Sequence, residues 1–599
     1  MPNFMHMRMR PVFFRTTTHG SAIYDGFAST RGNIPTNLSG ITHANVRAGH
    51  YARTDITQLK IVLFNYYGIG ELAPGATMGV TASVEYPRGT FTQILFSGSS
   101  SGTVPDGGTL FSDYVTISIP NGERFWIRLH QTCSAGLVYI STPTYVDAKD
   151  WMMGDAYQNS ATDLTMTGEI TPDEGTLAYY AGVIAPMTAD SVLVLGDSNG
   201  MGVTDVLDTT GNLGSIARSI GPQFGYFNAS MPGDTASNFV SNHTQRALLI
   251  PYCTTVYVIY GTNDIFASDS AATIEGHLTS IYSLCSGKRV KQTTIVPRTT
   301  DVVDAWTTTG NQTVLAGESV RATLNSDLRS TFGPPGGICD IAAAVEISTK
   351  WIVSPVISTT DGIHTNANGV QLVLTSNAVD PSLTGTPATP TTETGSAWGD
   401  HGTKIDIATL RRANDLAYAN TAGNPVTSVR GATGNSSGLR RFEIELMGTQ
   451  PSGMILGIMT GTAGNGAPLD DYPGNISDSF AIISGDHYTF VSGTMFTAVN
   501  STTLTYLCGD VFGWYLDFTN RFAYLSRNGV FCVGAGGVTG DPTSGATGTG
   551  HVATWTNVTP TLYPVVTLFG YQTGLPVLPV RLRTASFLIP TVGSYTPWG

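Results

Sequence analysis

The chain has 599 residues, 41% hydrophobic and 12% charged, and a net charge of −13 from 30 Lys and Arg against 43 Asp and Glu. That length is too great for one core and implies roughly three to five domains, with ample apolar material to fill them. The acidic balance, with lysine only at Lys60, Lys149, Lys288, Lys291, Lys350 and Lys404, offers no footprint for a phosphate backbone, so nucleic-acid and anionic-membrane partners are excluded as expectations.

In chain order, residues 1–50 are polar and irregular and read as an extended N-terminal arm, an anchor held by a neighbouring subunit if ordered. The first 20 residues lack an apolar stretch and a small-residue cleavage site, so no secretory signal is expected. No run of about 18 apolar residues occurs anywhere, so membrane insertion is not expected. Residues 51–185 contain short apolar or alternating runs such as LKIVLFNYYG, GVTASVEYP and ERFWIRLHQ, each bounded by Gly, Pro, Ser or Asp, and predict a β-sandwich or jelly roll. Within it Trp126, Tyr139, Tyr145 and Trp151 could stack on sugars, although core is the commoner fate of such rings.

The pattern changes near residue 190. SVLVLGD, CTTVYVIYGTND and KQTTIVPR are unbroken apolar strands of the kind buried on both faces. Stretches that can be helical, Ala272 to Cys285 and Thr313 to Leu328, lie between or after them, so residues 186–380 predict a parallel α/β domain. Residues 381–435 read as a Pro- and Thr-rich linker followed by a short helix over Ile407 to Tyr418. Residues 436–599 return to β-rich runs, among them FEIELMG, GDVFGWYLDF and YPVVTLFGY. Six cysteines without a CxxC argue against zinc; Cys508 and Cys532 either pair or stay as small buried thiols.

Four separated motifs in 186–380 carry chemistry: Gly196-Asp197-Ser198, Gly233 in NASMPGDT, Gly261-Thr262-Asn263-Asp264, and Asp361-Gly362-Ile363-His364. Ser198 follows an apolar strand directly, where α/β sheets place their ligand sites, and Gly196 and Gly200 permit a sharp turn there. Asn263 stands at the equivalent place after the second strand, and Gly233 offers a backbone N–H that no side chain obstructs. His364 can act as base for the serine, and Asp361, three residues earlier, can share its face on one helical turn and hold the imidazole. Singly, each residue also fits an ordinary turn or cap; in this order together they point to acyl transfer.

These residues resemble the SGNH hydrolase (GDSL-type esterase) family, whose four signature letters Ser198, Gly233, Asn263 and His364 match in order. The resemblance implies a central three-layer α/β/α, flavodoxin-like parallel sheet. It also implies Ser198, His364 and Asp361 as catalytic residues, an oxyanion hole from Ser198, Gly233 and Asn263, and no metal or organic cofactor. Asp197 and Asp264 also match and are read as supporting turn residues. Asn199 departs from the apolar residue common in the family and leaves substrate choice open. Pro297-Arg298, after the third strand, could line the crevice, with Arg298 read as structural.

The C-terminal region resembles the SPRY domain, a β-sandwich binding module, through FEIELMG, GDVFGWYLD and Asn528-Gly529, the last a hairpin signal in its own right. The expected whole is therefore a multidomain α/β plus β chain, its central sheet flanked by two β-sandwiches. Modular β regions around an acyl esterase suggest an O-acetyl esterase acting on surface polysaccharide. The irregular arm and the Gly/Thr-rich composition suggest a phage virion surface protein, a homo-oligomer bound to other virion proteins through the arm. The alternatives are a non-catalytic virion adhesion protein on the same scaffold and an exported, extracellular bacterial carbohydrate esterase.

Overall fold

The computed structural model describes residues 22–140, 153–170, 177–208 and 210–389. Beyond these it describes 393–396, 398–401, 405–408, 412–413, 416–419, 426–447, 455–460, 479–483, 489–492, 496–498, 507–555, 560–569 and 580–598. Tyr145 and Trp151 lie outside the described residues.

Two antiparallel sheets form the N-terminal region. One runs Tyr24–Phe27, Gly182–Met187, Ile56–Phe64, Val115–Ile119, with Thr109–Phe111 also on Ile56–Phe64; the other runs Ala156–Gln158, His43–Tyr51, Arg124–Thr132, Met78–Glu85, Phe91–Ile94, with Ser101–Val104 also on Met78–Glu85. They face each other through Leu59, Ile61 and Leu63 on one side and Val80, Ala82, Ile127 and Leu129 on the other. From residue 22 onward the segment is not an irregular arm but is held by its own chain. Tyr24–Phe27 and His43–Tyr51 are paired strands, and Arg31, Asn33, Asn45, Arg47 and His50 are buried. Their burial rests on partners such as the Arg31–Asp155 ion pair at 2.7 Å, which satisfies charge inside the core. Trp126 is core: its indole N–H donates to the Met153 carbonyl at 2.7 Å and the Arg47 guanidinium stacks 3.9 Å from its ring. Tyr139 is half-buried at the edge of a two-stranded pair with Asn37–Leu38.

Residues 186–380 supply five of the six short strands of a parallel sheet in the order Gly32–Asn33, Gly225–Asn228, Ser191–Gly196, Thr255–Ile259, Arg289–Thr293, Ile338–Cys339. One face packs Leu193, Leu195, Phe227, Val256 and Val258 against Ile34, Val62, Phe64 and Tyr66 of the N-terminal region as well as against helices. The other packs Val192, Val194, Tyr226 and Tyr257 with Ile216 and Val373.

The expected fold class is corrected. The chain is mostly β and divided among many sheets, several of them small, and a central three-layer α/β/α, flavodoxin-like core is not shown. Most helices in 186–380 are four to six residues long; only Ala271–Leu284, Glu318–Ser330 and Ala367–Thr375 are longer. Two of the short ones end at a glycine, Gly202 and Gly221. The sheet also takes an edge strand, Gly32–Asn33, from far outside 186–380, and part of one face from β structure.

The C-terminal region holds a ten-stranded and a six-stranded antiparallel-rich sheet around Phe442, Ile444, Leu456, Ile458, Trp514 and Val566. The helix expected over Ile407 to Tyr418 is instead strand, Ile405–Ala408 paired with Leu416–Ala419, because Ile405 and Ile407 alternate with period two. Cys508 is buried, Cys532 half-buried, and no disulfide joins them. A buried ionic knot ties this region to the N-terminal sheets: Glu123 accepts from Arg581 at 3.1 Å and Arg583 at 3.0 Å, and Glu445 accepts from Arg583 at 2.6 Å. Arg124 adds donations of 2.7 Å to the Leu446 and Met447 carbonyls. No described helix is long and apolar enough to cross a membrane.

Candidate active site

The strand Ser191–Gly196 is buried throughout and ends where its neighbours crowd it. A Cβ on Gly196 would lie 2.9 Å from the Ile259 carbonyl oxygen, so the chain can pass there only as glycine. Asp197 then caps a single helical turn, Ser198–Met201, its carboxylate accepting from the Asn199 N–H at 2.9 Å, and Gly202 at φ +85° closes the turn. Ser198 is thereby presented at the strand end, 8% exposed.

Residue 364 arrives on a different device. Asp361 and His364 were expected on one helical turn; the structure places them on a non-helical turn in which Asp361 Oδ1 accepts from the backbone N–H groups of Ile363 at 2.8 Å and His364 at 2.9 Å. Gly362 sits at φ +74°, where a Cβ would lie 2.0 Å from the Thr299 carbonyl oxygen; its own carbonyl accepts from Thr299 N at 2.9 Å and the Trp351 indole at 3.0 Å. The next helix, Ala367–Thr375, is capped by Asn366, whose side chain accepts from Gly369 N at 3.0 Å. The loop is therefore fastened at both ends.

From this loop, His364 Nδ1 lies 2.6 Å from Asp361 Oδ2, and Nε2 lies 2.8 Å from Ser198 Oγ. Burial pushes the Asp361 carboxyl up, but the hydrogen bond and charge of His364 and two backbone N–H groups outweigh it and hold it below its ordinary value. An ionised Asp361 only accepts, so Nδ1 carries a proton, and in the neutral imidazole Nε2 accepts from the Ser198 hydroxyl. That is the direction a base needs to activate a serine.

The remaining motif residues come to the same sheet end. Met231 N donates to the Gly196 carbonyl at 2.8 Å, and Asp197 N donates to Ile259 O at 3.1 Å, which joins the Gly233 loop, the serine turn and the strand before Asn263. Gly233 is exposed at φ +79°. The Asn263 amide donates one hydrogen to the Asp234 carbonyl at 2.9 Å, which leaves its second N–H for another acceptor.

Asp197 and Asp264 lie beneath the site as buried caps. Burial pushes the Asp197 carboxyl up to about 7, against the pull of the Asn199 N–H and of His364. Asp264 accepts from the Ala236 and Ser237 N–H groups at 3.1 and 3.4 Å and is also raised by burial. Its carboxylate shares a 4.8 Å cluster of ligand atoms with Asp269 and His277, but those backbone bonds already account for it as a helix cap.

Two features went unread in the sequence. Asp234, within NASMPGDT, is fully buried against Arg246 at 2.7 Å and Tyr260 at 3.1 Å, and Arg246 also contacts Glu71 of the N-terminal region at 3.2 Å. Ile69 of that region approaches Gly233 so closely that a Cβ there would lie 3.2 Å from its methyl group. Both are long-range contacts with no local pattern. A cavity of about 350 Å³ opens elsewhere, in the C-terminal region, lined by Asp517, Asn520, Pro542, Thr543 and Tyr595 among others.

No family model and no curated protein matches the chain. Solved structures do, over parts of it. A member of the lipolytic protein G-D-S-L family from Veillonella parvula is 16% identical, with 31% of this chain and 94% of that chain covered at a TM-score of 0.24. The native aryl esterase of M. smegmatis is 16% identical, with 32% and 97% covered at 0.22. The SPRY domain of human HERC1 is 17% identical, with 28% and 87% covered at 0.20.

Proposed function

We propose that the chain is a serine ester hydrolase, and that its substrates are O-acyl groups on polysaccharide. The observation that supports this is the continuous relay Asp361–His364–Ser198, with contacts of 2.6 and 2.8 Å, beside two N–H-bearing loops at one sheet end. Ser198 Oγ attacks the acyl carbon as its proton passes to His364 Nε2; Asp361 steadies the imidazolium that forms. The oxyanion that develops is met by the N–H groups of Ser198 and Gly233 and the second amide hydrogen of Asn263. His364 then protonates the leaving alcohol, and water, activated by the same imidazole, releases the acid.

Purified chain should hydrolyse 4-nitrophenyl acetate and release acetate from an O-acetylated polysaccharide. Ser198→Ala and His364→Ala should each lower the rate by at least about 10³. Equal rates in the parent and Ser198→Ala would overturn the nucleophile assignment. Release from the aryl ester but not the polysaccharide would confine the reading to small esters.

A further inference from the structure

Arg298 stands out among the buried cations of the described residues. It is 5% exposed, and its Nε and Nη1 atoms are buried without a hydrogen-bond partner. Several buried arginines have carboxylates: Arg31 has Asp155, Arg47 has Glu85, Arg246 has Asp234 and Glu71, Arg321 has Glu318 and Glu346. Arg53, equally buried, lies in none of these ion pairs but donates its Nε–H to the Gly221 carbonyl. Arg298 has no carboxylate partner among the described residues, and its guanidinium instead lies 4.9 Å from the ring centroid of Phe266. A guanidinium cannot shed its proton to escape this, so the site holds an uncompensated buried positive charge. Burial alone lowers its proton affinity, with no charged group contributing.

Its position is equally informative. The Arg298 carbonyl accepts from Leu315 N at 3.0 Å, and the next residue, Thr299, donates to Gly362 O, inside the turn that carries Asp361 and His364. Phe266 is three residues past Asn263 on the helix Thr262–Phe266 and is 73% exposed. The guanidinium therefore lies between the loop that supplies the base and the helix that supplies the amide.

We propose that Arg298 binds a carboxylate of the substrate, so that the site prefers anionic esters. The planar fork of donors suits a carboxylate, and the Phe266 ring lies against the guanidinium. The carboxylate belongs either to the acyl group, as in a half-ester of a dicarboxylic acid, or to the alcohol, as in an acetylated uronic acid. This inference rests on the hydrolase reading for its chemistry but not for its binding.

The test uses the full chain and its Arg298→Gln and Arg298→Lys variants. Size-matched 4-nitrophenyl butyrate and 4-nitrophenyl hemisuccinate probe the acyl side; acetylated glucose and acetylated glucuronic acid probe the alcohol side. On one of the two anionic arms, kcat/KM should fall about 10–100-fold in Arg298→Gln, chiefly through KM, with partial recovery in Arg298→Lys and neutral esters within threefold of the parent. The arm that falls identifies the source of the carboxylate. Equal loss on neutral and anionic esters, or no loss on either anionic arm, overturns the proposal and leaves the hydrolase reading standing. If the parent hydrolyses no ester, that reading fails; thermal shifts with succinate and glucuronate then decide, a shift in the parent that is absent from Arg298→Gln supporting the carboxylate site and equal shifts or none overturning it. Melting temperature supplies a control: removing an unpaired buried charge should leave it unchanged or raise it, and a marked fall would mean a structural role instead.

Discussion

Asp361 does two jobs with two oxygens, and asparagine separates them. Oδ1 holds the turn through two backbone N–H groups, at 2.8 and 2.9 Å; Oδ2 holds the imidazole at 2.6 Å. Asp361→Asn keeps a carbonyl oxygen for the turn but sets an amide N–H₂ against Nδ1. The imidazole then favours the tautomer with its proton on Nε2, which can no longer accept from Ser198. A loss of about 10³–10⁴ in kcat follows, equivalent to about 4–5.5 kcal/mol of barrier. Asp361→Ala should lose as much activity and, in addition, about 1 kcal/mol of stability as the turn loses its acceptor in a partly exposed place. The assay is the kcat–pH profile on an aryl acetate beside a thermal melt of each variant. Asp361→Asn activity within tenfold of the parent, while Ser198→Ala is inactive, would refute the assignment of Oδ2 as the group that sets the tautomer.

Three further outcomes are expected. Asn263→Ala should lower kcat about 10²–10³-fold with little change in KM, since the amide is needed mainly when charge develops; an effect confined to KM would assign Asn263 to substrate binding. Asp197, pushed up to about 7 by burial, keeps a proton that the unfolded chain releases near pH 4, so the stability it contributes is full below about pH 4 and is lost as pH rises to 7. Asp197→Asn, which keeps the capping oxygen, should gain on the parent across that window by at most about 4 kcal/mol, and a pH-independent difference in melting temperature would contradict this. Glu123→Gln takes from Arg581 and Arg583 the carboxylate they share, leaving Glu445 on Arg583, at a cost of about 3–5 kcal/mol. The check is the denaturation midpoint of the full chain, and a shift within experimental error would mean that Glu445 carries the knot alone.

The site was more legible than the fold. Ser198, Gly233, Asn263 and the Asp361–His364 pair stand in short motifs, because strand ends, tight turns and caps need particular residues at short spacing. What those motifs left open was the turn that joins Asp361 to His364: a three-residue spacing fits a helical turn and a side-chain-capped turn equally well. Residues 22–51 misled for a different reason. The strand His43–Tyr51 buries Asn45, Arg47 and His50, and Arg31 is buried beside Gly32–Asn33, against partners such as Asp155 and Glu85, more than 30 residues away, so hydrophobic alternation is masked by polar residues whose neutralisation is non-local. Ile407 to Tyr418 misled because alanine and leucine favour helix intrinsically, while the Leu416–Ala419 strand is set by pairing with Ile405–Ala408 and Val580–Arg583. Arg298 reads from the sequence as structural; that it lacks a carboxylate partner among the described residues emerges only in three dimensions.

The edge strand Gly32–Asn33 has a consequence for biosynthesis. Its partner, Gly225–Asn228, follows almost 200 residues later. At about 5–20 residues per second, the ribosome releases the early strand roughly 10–40 seconds before its docking surface exists. An early strand thus completes a sheet whose other strands are made long afterwards, and deleting it would strip an edge from the sheet that carries Ser198.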